Sequence, residues 1–194
     1  MSLDMETNSY GGGFATPPVD AANAFRAAMN AMARPGSVHD ITGAEPPAGI
    51  SAAAGCLLLT LCDPETGVYL APDVDSPALR SWLAFHTGAP IVAADKADFA
   101  LGSWQALMPL GQYRIGTSEY PDRSTTLIVE LTEFAAANAS LTGPGIKDST
   151  AFALPDLGAC QGNAAQFPLG VDFFFTSGGQ LAALPRSTTI LAKD

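Results

Sequence analysis

The sequence predicts a single α/β domain built on a mixed β-sheet that is covered on both faces. Short runs rich in β-branched and aromatic residues alternate with segments of helical pattern, and such alternation places helices on both faces of a sheet. A nearly all-apolar strand close to the C-terminus precedes a glycine-rich reversal and a second strand, so at least one pair is antiparallel. With 194 residues, the chain is long enough to bury the core of one domain.

The first 18 residues predict a flexible segment ahead of this domain. Residues 1–18 are rich in Gly and Pro, and residues 1–14 have neither the basic region nor the apolar core of a signal peptide. Gly11-Gly12-Gly13 precedes no strand–helix unit, so we interpret it as part of a tail rather than a phosphate-binding loop. The domain is then expected to span residues 19–194.

A first helix is predicted from a cap at Asp20 to Ala33, because Pro35-Gly36 stops it. Its large apolar residues recur at helical spacing and form the predicted buried stripe: Phe25, Met29 and Met32.

Two further helices have clear start signals. Ser51 can cap an apolar helix that runs to Leu61, although a strand from Cys56 is the alternative. Ser76-Pro77 is typical of a helix start, and that helix ends near His86. Short apolar runs predict strands at residues 37–41, 68–71, 91–93, 98–102, 125–131 and 140–142, and residues 160–166 favour a helix.

The C-terminal part predicts a hairpin. A turn at Pro168 leads into the strand Val171 to Thr176, which is apolar enough to be buried on both faces. Ser177-Gly178-Gly179 supplies the positive-φ positions of a tight reversal. The return strand runs from Gln180 to Leu184, and Pro185 ends it because proline cannot donate to a strand ladder.

Composition and charge exclude several classes of function. The formal net charge is −10, and no basic stripe is present, so the sequence predicts no binding to nucleic acid. No apolar run approaches the length of a membrane span. The three cysteines are odd in number and unpatterned, which favours a reducing cytoplasm. Charged residues make up only 14% of the chain, which indicates that a partner covers part of its surface.

Motifs of known chemistry are absent from the sequence. There is neither a Gly-x-x-x-x-Gly-Lys-Ser/Thr loop nor a Gly-x-Gly-x-x-Gly after a strand. His39 and His86 are isolated from each other and from the cysteines, so we interpret both as capping or packing residues. We expect no metal site.

Two groups of residues are candidates for contact with a phosphate. Thr142-Gly143-Pro144-Gly145 offers backbone donors, although Pro144 lacks an N–H. Arg186 offers a guanidinium fork beside the hydroxyls of Ser187 and Thr188, which suits a phosphate or the carboxylate of a partner. A plain turn and a salt-bridged arginine at a strand end are the alternatives.

Five blocks in order resemble a known family. They are Ala24-Phe25-Arg26, Leu57-Leu58-Leu59-Thr60-Leu61, Phe85-His86-Thr87, Leu141-Thr142-Gly143-Pro144-Gly145-Ile146, and the segment from Phe167-Pro168-Leu169-Gly170 to Leu184-Pro185-Arg186-Ser187-Thr188-Thr189. Together they resemble the PhnH family, a subunit of the bacterial carbon–phosphorus lyase core complex. Two positions depart from the pattern: Tyr69 stands where Trp is expected, and Pro144 where Ala is common.

The resemblance implies a fold and a role. The fold would be a three-layer α/β/α domain resembling the large domain of pyridoxal-phosphate-dependent transferases, without the cofactor. The chain would be a largely non-catalytic subunit in phosphonate catabolism, within an assembly that forms ribose 1-phosphonate 5-triphosphate from a nucleoside triphosphate and an alkylphosphonate. Its partners would be other core subunits, and the isolated chain would be a cytoplasmic homodimer.

Two other functions stay open at this point. A stand-alone transferase would need a lysine for pyridoxal phosphate. Of Lys96, Lys147 and Lys193 only Lys147 is plausible, and we interpret it as a solvated loop residue and expect no cofactor. The other alternative is a small-molecule binding module of the same pathway.

Overall fold

A computed structural model describes residues 11–193. The helices are α1 (Pro17–Ala33), α2 (Ala52–Leu61), α3 (Pro77–His86), α4 (Trp104–Leu107) and α5 (Leu157–Ala164). The strands are β1 (His39–Asp40), β2 (Val68–Leu70), β3 (Phe99–Ser103), β4 (Thr126–Glu130), β5 (Ala139–Thr142), β6 (Thr150–Phe152), β7 (Asp172–Ser177), β8 (Gln180–Leu184) and β9 (Thr189–Ala192). Three 3₁₀ turns lie at Ala94–Lys96, Leu110–Gln112 and Pro121–Arg123.

The described residues form two sheets. The larger has six strands in the order β1-β8-β7-β4-β3-β2. Strands β2, β3, β4 and β7 are parallel, whereas β8 runs antiparallel to both β7 and β1. The smaller sheet is antiparallel, with the order β6-β5-β9. The predicted α/β class, mixed sheet and closing β7–β8 hairpin are therefore confirmed.

Alternating residues of the central strands face two separate hydrophobic clusters. Ile128 and Phe174 pack on the side that carries α1, α2 and α3. Phe173 and Phe175 point to the opposite side, where residues of α5 and of the small sheet cover them. Both faces are covered, as predicted, but the second outer layer is partly a β-sheet. The likeness to pyridoxal-phosphate transferases stays a prediction.

Helix α1 differs from its prediction in two ways. It begins at Pro17 rather than after Asp20, and the Asp20 carboxylate instead accepts a hydrogen bond from the Thr16 N–H at 2.7 Å. Its buried residues are Ala24, Ala28 and Ala31 rather than the large apolar ones.

The predicted buried stripe of α1 is wrong for two of its three residues. Phe25 and Met29 are 49% and 52% exposed, while Met32 packs at the edge of the cluster. Helix α1 contacts β8 and α2, and its buried Ala24, Ala28 and Ala31 share one hydrophobic cluster with Ala53 and Ala54 of α2. Close approach therefore selects alanine for the buried face.

The other helices mostly follow their predictions. Ser51 caps α2 and Ser76 caps α3, so the alternative strand from Cys56 is wrong. Helix α5 starts earlier than predicted, because Asp156 caps it. Residues 91–93 supply a single bridge from Ile91 to Val68 rather than a strand.

The glycine-rich segment packs against the helical layer, where the sequence predicted a tail. The Gly11 carbonyl accepts hydrogen bonds from the Trp82 and His86 rings, each at 3.1 Å. Gly12 has φ +77°, and a Cβ there would lie 2.0 Å from the Glu45 carbonyl oxygen. Residues 1–10 lie outside the described part of the chain, and the flexible segment 1–18 stays a prediction.

Phe174→Ala should lower the free energy of unfolding by about 3–5 kcal/mol, because the ring is buried between the sheet and the helical layer. Urea denaturation measures this change. An unchanged midpoint would show that β7 is peripheral to the core.

Candidate functional site

Arg186 lies directly after β8, and its guanidinium is bound inside the fold. Nε and Nη2 donate to the two carboxylate oxygens of Asp172, at 3.2 and 2.7 Å. Nη1 donates to the carbonyl oxygens of Pro121 and Gly170, at 2.5 and 3.0 Å. The Arg186 backbone N–H also donates to Asp172, at 2.8 Å. One side chain therefore joins the start of β7, the turn before it and the 3₁₀ turn at Pro121–Arg123.

These contacts limit what else Arg186 can bind. The guanidinium has five N–H donors, and four of them are used by Asp172, Pro121 and Gly170. The side chain is only 14% exposed, and that of Asp172 18%. A phosphate could receive one remaining N–H but not the bidentate fork that the sequence prediction assumed. Contact with a phosphate or a partner stays a prediction.

The structure brings together the two groups of residues that were predicted to contact a phosphate. In the β5–β9 ladder Thr142 pairs with Thr189, two residues after Ser187. Gly143 has φ +130°, and a Cβ there would lie 3.2 Å from the Ser187 carbonyl oxygen. Thr188 is buried, whereas Gly143 is exposed. The candidate residues thus form one neighbourhood beside Arg186.

Two clefts flank Arg186. One, of about 300 Å³, lies between α5 and the segment 186–190 and is lined in part by Gln161, Ser187 and Thr189. The other, of about 400 Å³, is lined in part by Pro121, Pro168 and Pro185. Phe167, which is 60% exposed, lines both clefts. The exposed Phe167 ring therefore lies between two concave surfaces. It belongs to the last of the sequence blocks, Phe167 to Thr189, which we call the signature segment.

This neighbourhood lies at the amino edge of the parallel strands. Asp172 begins β7, and the Pro121–Arg123 turn precedes β4. Open α/β sheets usually bind ligands at the opposite, carboxyl edge of their strands. The candidate site therefore does not have the usual location of a substrate pocket in this class of fold.

The carboxyl edge carries acidic groups. The Glu130 carboxylate, at the end of β4, accepts a hydrogen bond from the Ser51 N–H at 2.7 Å. Asp73 accepts one from the Ser103 N–H at 3.0 Å. Burial raises the pKa of Glu130 and the charge of Asp73 raises it further, while the hydrogen bonds from Ser51 and Thr176 oppose the shift. Two carboxylates at this edge disfavour a phosphate there.

Sequence reasoning missed Asp172 and Glu130. Each carries a charge within an otherwise apolar strand run, at Val171-Asp172-Phe173 and at Val129-Glu130-Leu131. Because charged side chains are rarely buried without partners, that placement is itself a signal of a specific contact. Asp172 pairs with Arg186, and Glu130 accepts a hydrogen bond at the N-terminus of α2.

The thiols have the properties of core residues. Cys56, Cys62 and Cys160 are free and buried. Burial raises the pKa of Cys62 and of Cys160 to about 12, so both are protonated at neutral pH and are poor nucleophiles. Within residues 11–193, no three His, Cys, Asp or Glu side chains converge as metal ligands would.

The two histidines make local contacts. His39 Nε2 lies 2.8 Å from the Ser37 hydroxyl, and the His86 ring packs against Trp82 and Phe85. Among residues 11–193, no helix has the length and apolar character needed to cross a bilayer.

The chain is similar over nearly its whole length to proteins of bacterial phosphonate metabolism. The family model of a bacterial phosphonate metabolism protein, PhnH, matches residues 12–191. The chain is 39% identical over 197 residues to the alpha-D-ribose 1-methylphosphonate 5-triphosphate synthase subunit PhnH of Rhizobium meliloti (strain 1021), covering 97% of this chain and 98% of that protein. It is 30% identical over 197 residues to the putative C-P lyase subunit protein HtxG of Stutzerimonas stutzeri, covering 93% and 96% respectively.

These matches span nearly the whole chain, which belongs to the PhnH family. The resemblance found in the sequence blocks is thereby confirmed.

Arg186→Ala should lower the free energy of unfolding by about 3–5 kcal/mol, because it leaves the mostly buried Asp172 carboxylate unpaired. Arg186→Lys should also destabilise the chain, since an ammonium keeps the charge but cannot serve both carboxylate oxygens and two carbonyls. Arg123→Ala is the matched control, because Arg123 only stacks on the exposed Tyr120 ring. Equal stability of the Arg186 variants and the parent in urea would refute this role.

Glu130→Gln should change how stability depends on pH. Because the pKa of Glu130 is raised in the folded state, that state holds the proton more tightly than the unfolded chain. The parent should therefore lose stability as the pH rises from about 4.3, the ordinary glutamate value, through the raised folded value. The glutamine variant should lack this loss. Parallel curves of unfolding free energy against pH for the two proteins would contradict the assignment.

Proposed function

We propose that the chain is a subunit of an alpha-D-ribose 1-methylphosphonate 5-triphosphate synthase within the carbon–phosphorus lyase pathway. The observation that carries this is the 39% identity to a subunit of that name, over 97% of this chain and 98% of the relative. In this role it supports formation of ribose 1-phosphonate 5-triphosphate from a nucleoside triphosphate and an alkylphosphonate. Its contribution is architectural, and the bond-making groups belong to other subunits.

The bonding of the signature segment supports an architectural role. Arg186, its most obvious reactive candidate, directs its donors into the fold. Phe173 and Phe175 are fully buried core residues. The cysteines are protonated and buried, so they offer no ready nucleophile.

The location of the lysines disfavours a stand-alone transferase that uses pyridoxal phosphate. Lys96, Lys147 and Lys193 are all exposed, and Lys147 follows the Gly143–Ile146 turn at the surface. A Schiff-base lysine works from within a cofactor pocket. The carboxyl edge of the sheet carries Glu130 and Asp73 instead.

The clefts beside Phe167 favour a second candidate function, that of a small-molecule binding module of the same pathway. In that case Ser187, Thr188, Thr142 and Gly143 would supply most of the polar contacts and Arg186 its single remaining N–H. The acidic balance of the chain argues against a nucleic-acid ligand.

The proposal includes partners and a location. The chain associates with other core subunits, forms a homodimer when isolated, and resides in the cytoplasm. The free cysteines support the cytoplasmic location. The low fraction of charged residues supports a surface that is covered by a partner.

Affinity purification of the tagged chain, co-expressed with the other synthase subunits of its organism, tests the proposal. We expect a stoichiometric complex, together with restored growth on methylphosphonate in a strain that lacks this chain. Purification of the chain alone, with no restored growth, would contradict a subunit role. Binding of methylphosphonate or ATP to the isolated chain in calorimetry would instead favour the second candidate.

Lys147→Ala should support growth on methylphosphonate as well as the parent does, because the side chain is exposed on a turn. Growth rate and the amount of folded protein are both measured. Loss of growth with the fold preserved would revive a catalytic role for this lysine.

A further inference from the structure

Thr188 is a buried residue whose hydroxyl binds no group in the described part of the chain. It is only 2% exposed, and its side chain forms no hydrogen bond within residues 11–193. Thr125 and Thr176 are buried to a similar degree, and each donates its hydroxyl to a backbone carbonyl oxygen, at 2.7 and 3.3 Å. Because an unpartnered buried hydroxyl costs free energy, Thr188 has a binding capacity that the fold itself does not use.

The Thr188 hydroxyl opens on a cleft. Among the described residues, Arg114 Nε is the only fully buried side-chain nitrogen or oxygen atom that lacks a partner, so the Thr188 oxygen keeps some contact with solvent. Thr188 lines the cleft of about 300 Å³ between α5 and the segment 186–190, which we call the α5 cleft. A ligand in the α5 cleft can therefore reach this hydroxyl.

Other polar groups of the α5 cleft can also donate hydrogen bonds. Ser187 and Thr189 add two hydroxyls that bind no described residue. Arg186 adds the one guanidinium N–H that is not used within the fold. None of the described residues that line this cleft is acidic, although the chain has 19 acidic residues. These groups together suit an oxyanion.

The α5 cleft also limits the charge of that oxyanion. It includes the C-terminal end of α5, where the helix dipole disfavours negative charge. The guanidinium charge of Arg186 is already paired with Asp172. Gln161 donates its amide to the Ile190 carbonyl oxygen at 3.1 Å, which leaves its side-chain oxygen to accept a hydrogen bond from a ligand. The cleft therefore favours a singly charged oxyanion that retains an O–H over a triphosphate.

The rest of the α5 cleft is apolar. Four of its lining residues have apolar side chains: Ala164, Ala165, Phe167 and Ile190. The turn that carries the exposed Phe167 ring is held in place by Asn163, whose buried amide exchanges two hydrogen bonds with the Val171 backbone, at 2.8 and 2.9 Å. A short alkyl group on the ligand would leave water by packing against this fixed wall.

We infer that the α5 cleft binds a small, singly charged oxyanion that carries a short alkyl group, with the Thr188 hydroxyl as one of its donors. An alkylphosphonate has this chemistry, and it is the class of compound that the proposed pathway would bring to this chain. The inference rests on the second candidate function, the small-molecule binding module, and names its ligand. No thiol, imidazole or carboxylate of the described residues lines the cleft, so the ligand is held there without being transformed.

Titration calorimetry of the full chain with methylphosphonate tests this inference. We expect saturable binding, and ethylphosphonate should bind about fourfold more tightly because one more methylene is buried. Inorganic phosphate lacks the alkyl group and ATP carries several charges, so each should bind about tenfold more weakly or worse. Absence of saturable methylphosphonate binding would overturn the inference, and so would equal or tighter binding of inorganic phosphate or ATP.

Variants of Thr188 separate binding from structure. Thr188→Val removes the hydroxyl at nearly constant size and should weaken methylphosphonate binding about tenfold. Its melting temperature should stay at or above that of the parent, because no described residue loses a hydrogen bond. Thr188→Ser keeps the hydroxyl and should bind nearly as well as the parent.

Thr176→Val is the matched control, because it removes a buried hydroxyl that is bonded to the Val129 carbonyl oxygen on another part of the sheet. It should lower the melting temperature and leave methylphosphonate binding unchanged. Parent-like binding by Thr188→Val would overturn the inference. Equal losses of stability in Thr188→Val and Thr176→Val would assign the Thr188 hydroxyl to the fold and would also overturn it.

The inference and the proposed functions fail in different ways. A chain that joins the complex and restores growth but binds no methylphosphonate leaves the subunit role standing and overturns the inference alone. A chain that binds ATP but not methylphosphonate supports a binding module and overturns this choice of ligand. A chain that binds methylphosphonate through Thr188 but joins no complex contradicts the subunit role and supports the inference.

Discussion

The pairing of Arg186 with Asp172 is the interaction on which the C-terminal half of the domain depends. Asp172 begins β7, the first strand of the hairpin, and its carboxylate accepts hydrogen bonds from the guanidinium and the backbone N–H of Arg186, which follows β8. The same guanidinium binds the carbonyls of Pro121 and Gly170. Because both charged groups are mostly buried, either one without the other would be left uncompensated.

Because of these hydrogen bonds and its buried strand residues, the signature segment is part of the domain core. Its strand residues fill both faces of the sheet, with Phe174 toward the helices and Phe173 and Phe175 toward the small sheet. Its arginine closes the amino edge of the sheet, leaving Phe167 exposed between two clefts. The segment is therefore held in place by contacts within the domain itself.

Local signals in the sequence predict much of this fold. Ser51 and Ser76 mark helix starts, and the β7–β8 hairpin follows from its glycines and Pro185. The buried face of α1 was not predictable in this way. The large apolar side chain of Phe25 suggested that it would be buried, whereas the face packed against α2 and β8 consists of alanines. Strands β6 and β9 are three and four residues long, too short for a clear period, and they form only through pairing with β5.

The site was predicted in part. The sequence singled out Arg186 and Thr142-Gly143, and the β5–β9 ladder brings the two groups together. It did not reveal that Asp172, 14 positions earlier, uses the guanidinium, since that contact depends on the register of β7 and β8. The exposure of Phe25 and Met29 likewise became evident only from the packing of α1.

A double-mutant cycle between Arg186 and Asp172 tests the central claim most directly. The free energies of unfolding of the parent, Arg186→Ala, Asp172→Ala and the double variant are measured under one set of conditions. Our account predicts a coupling energy of about 1–3 kcal/mol, because each residue is the main partner of the other. A coupling energy near zero would show that the two residues act independently and would contradict this account.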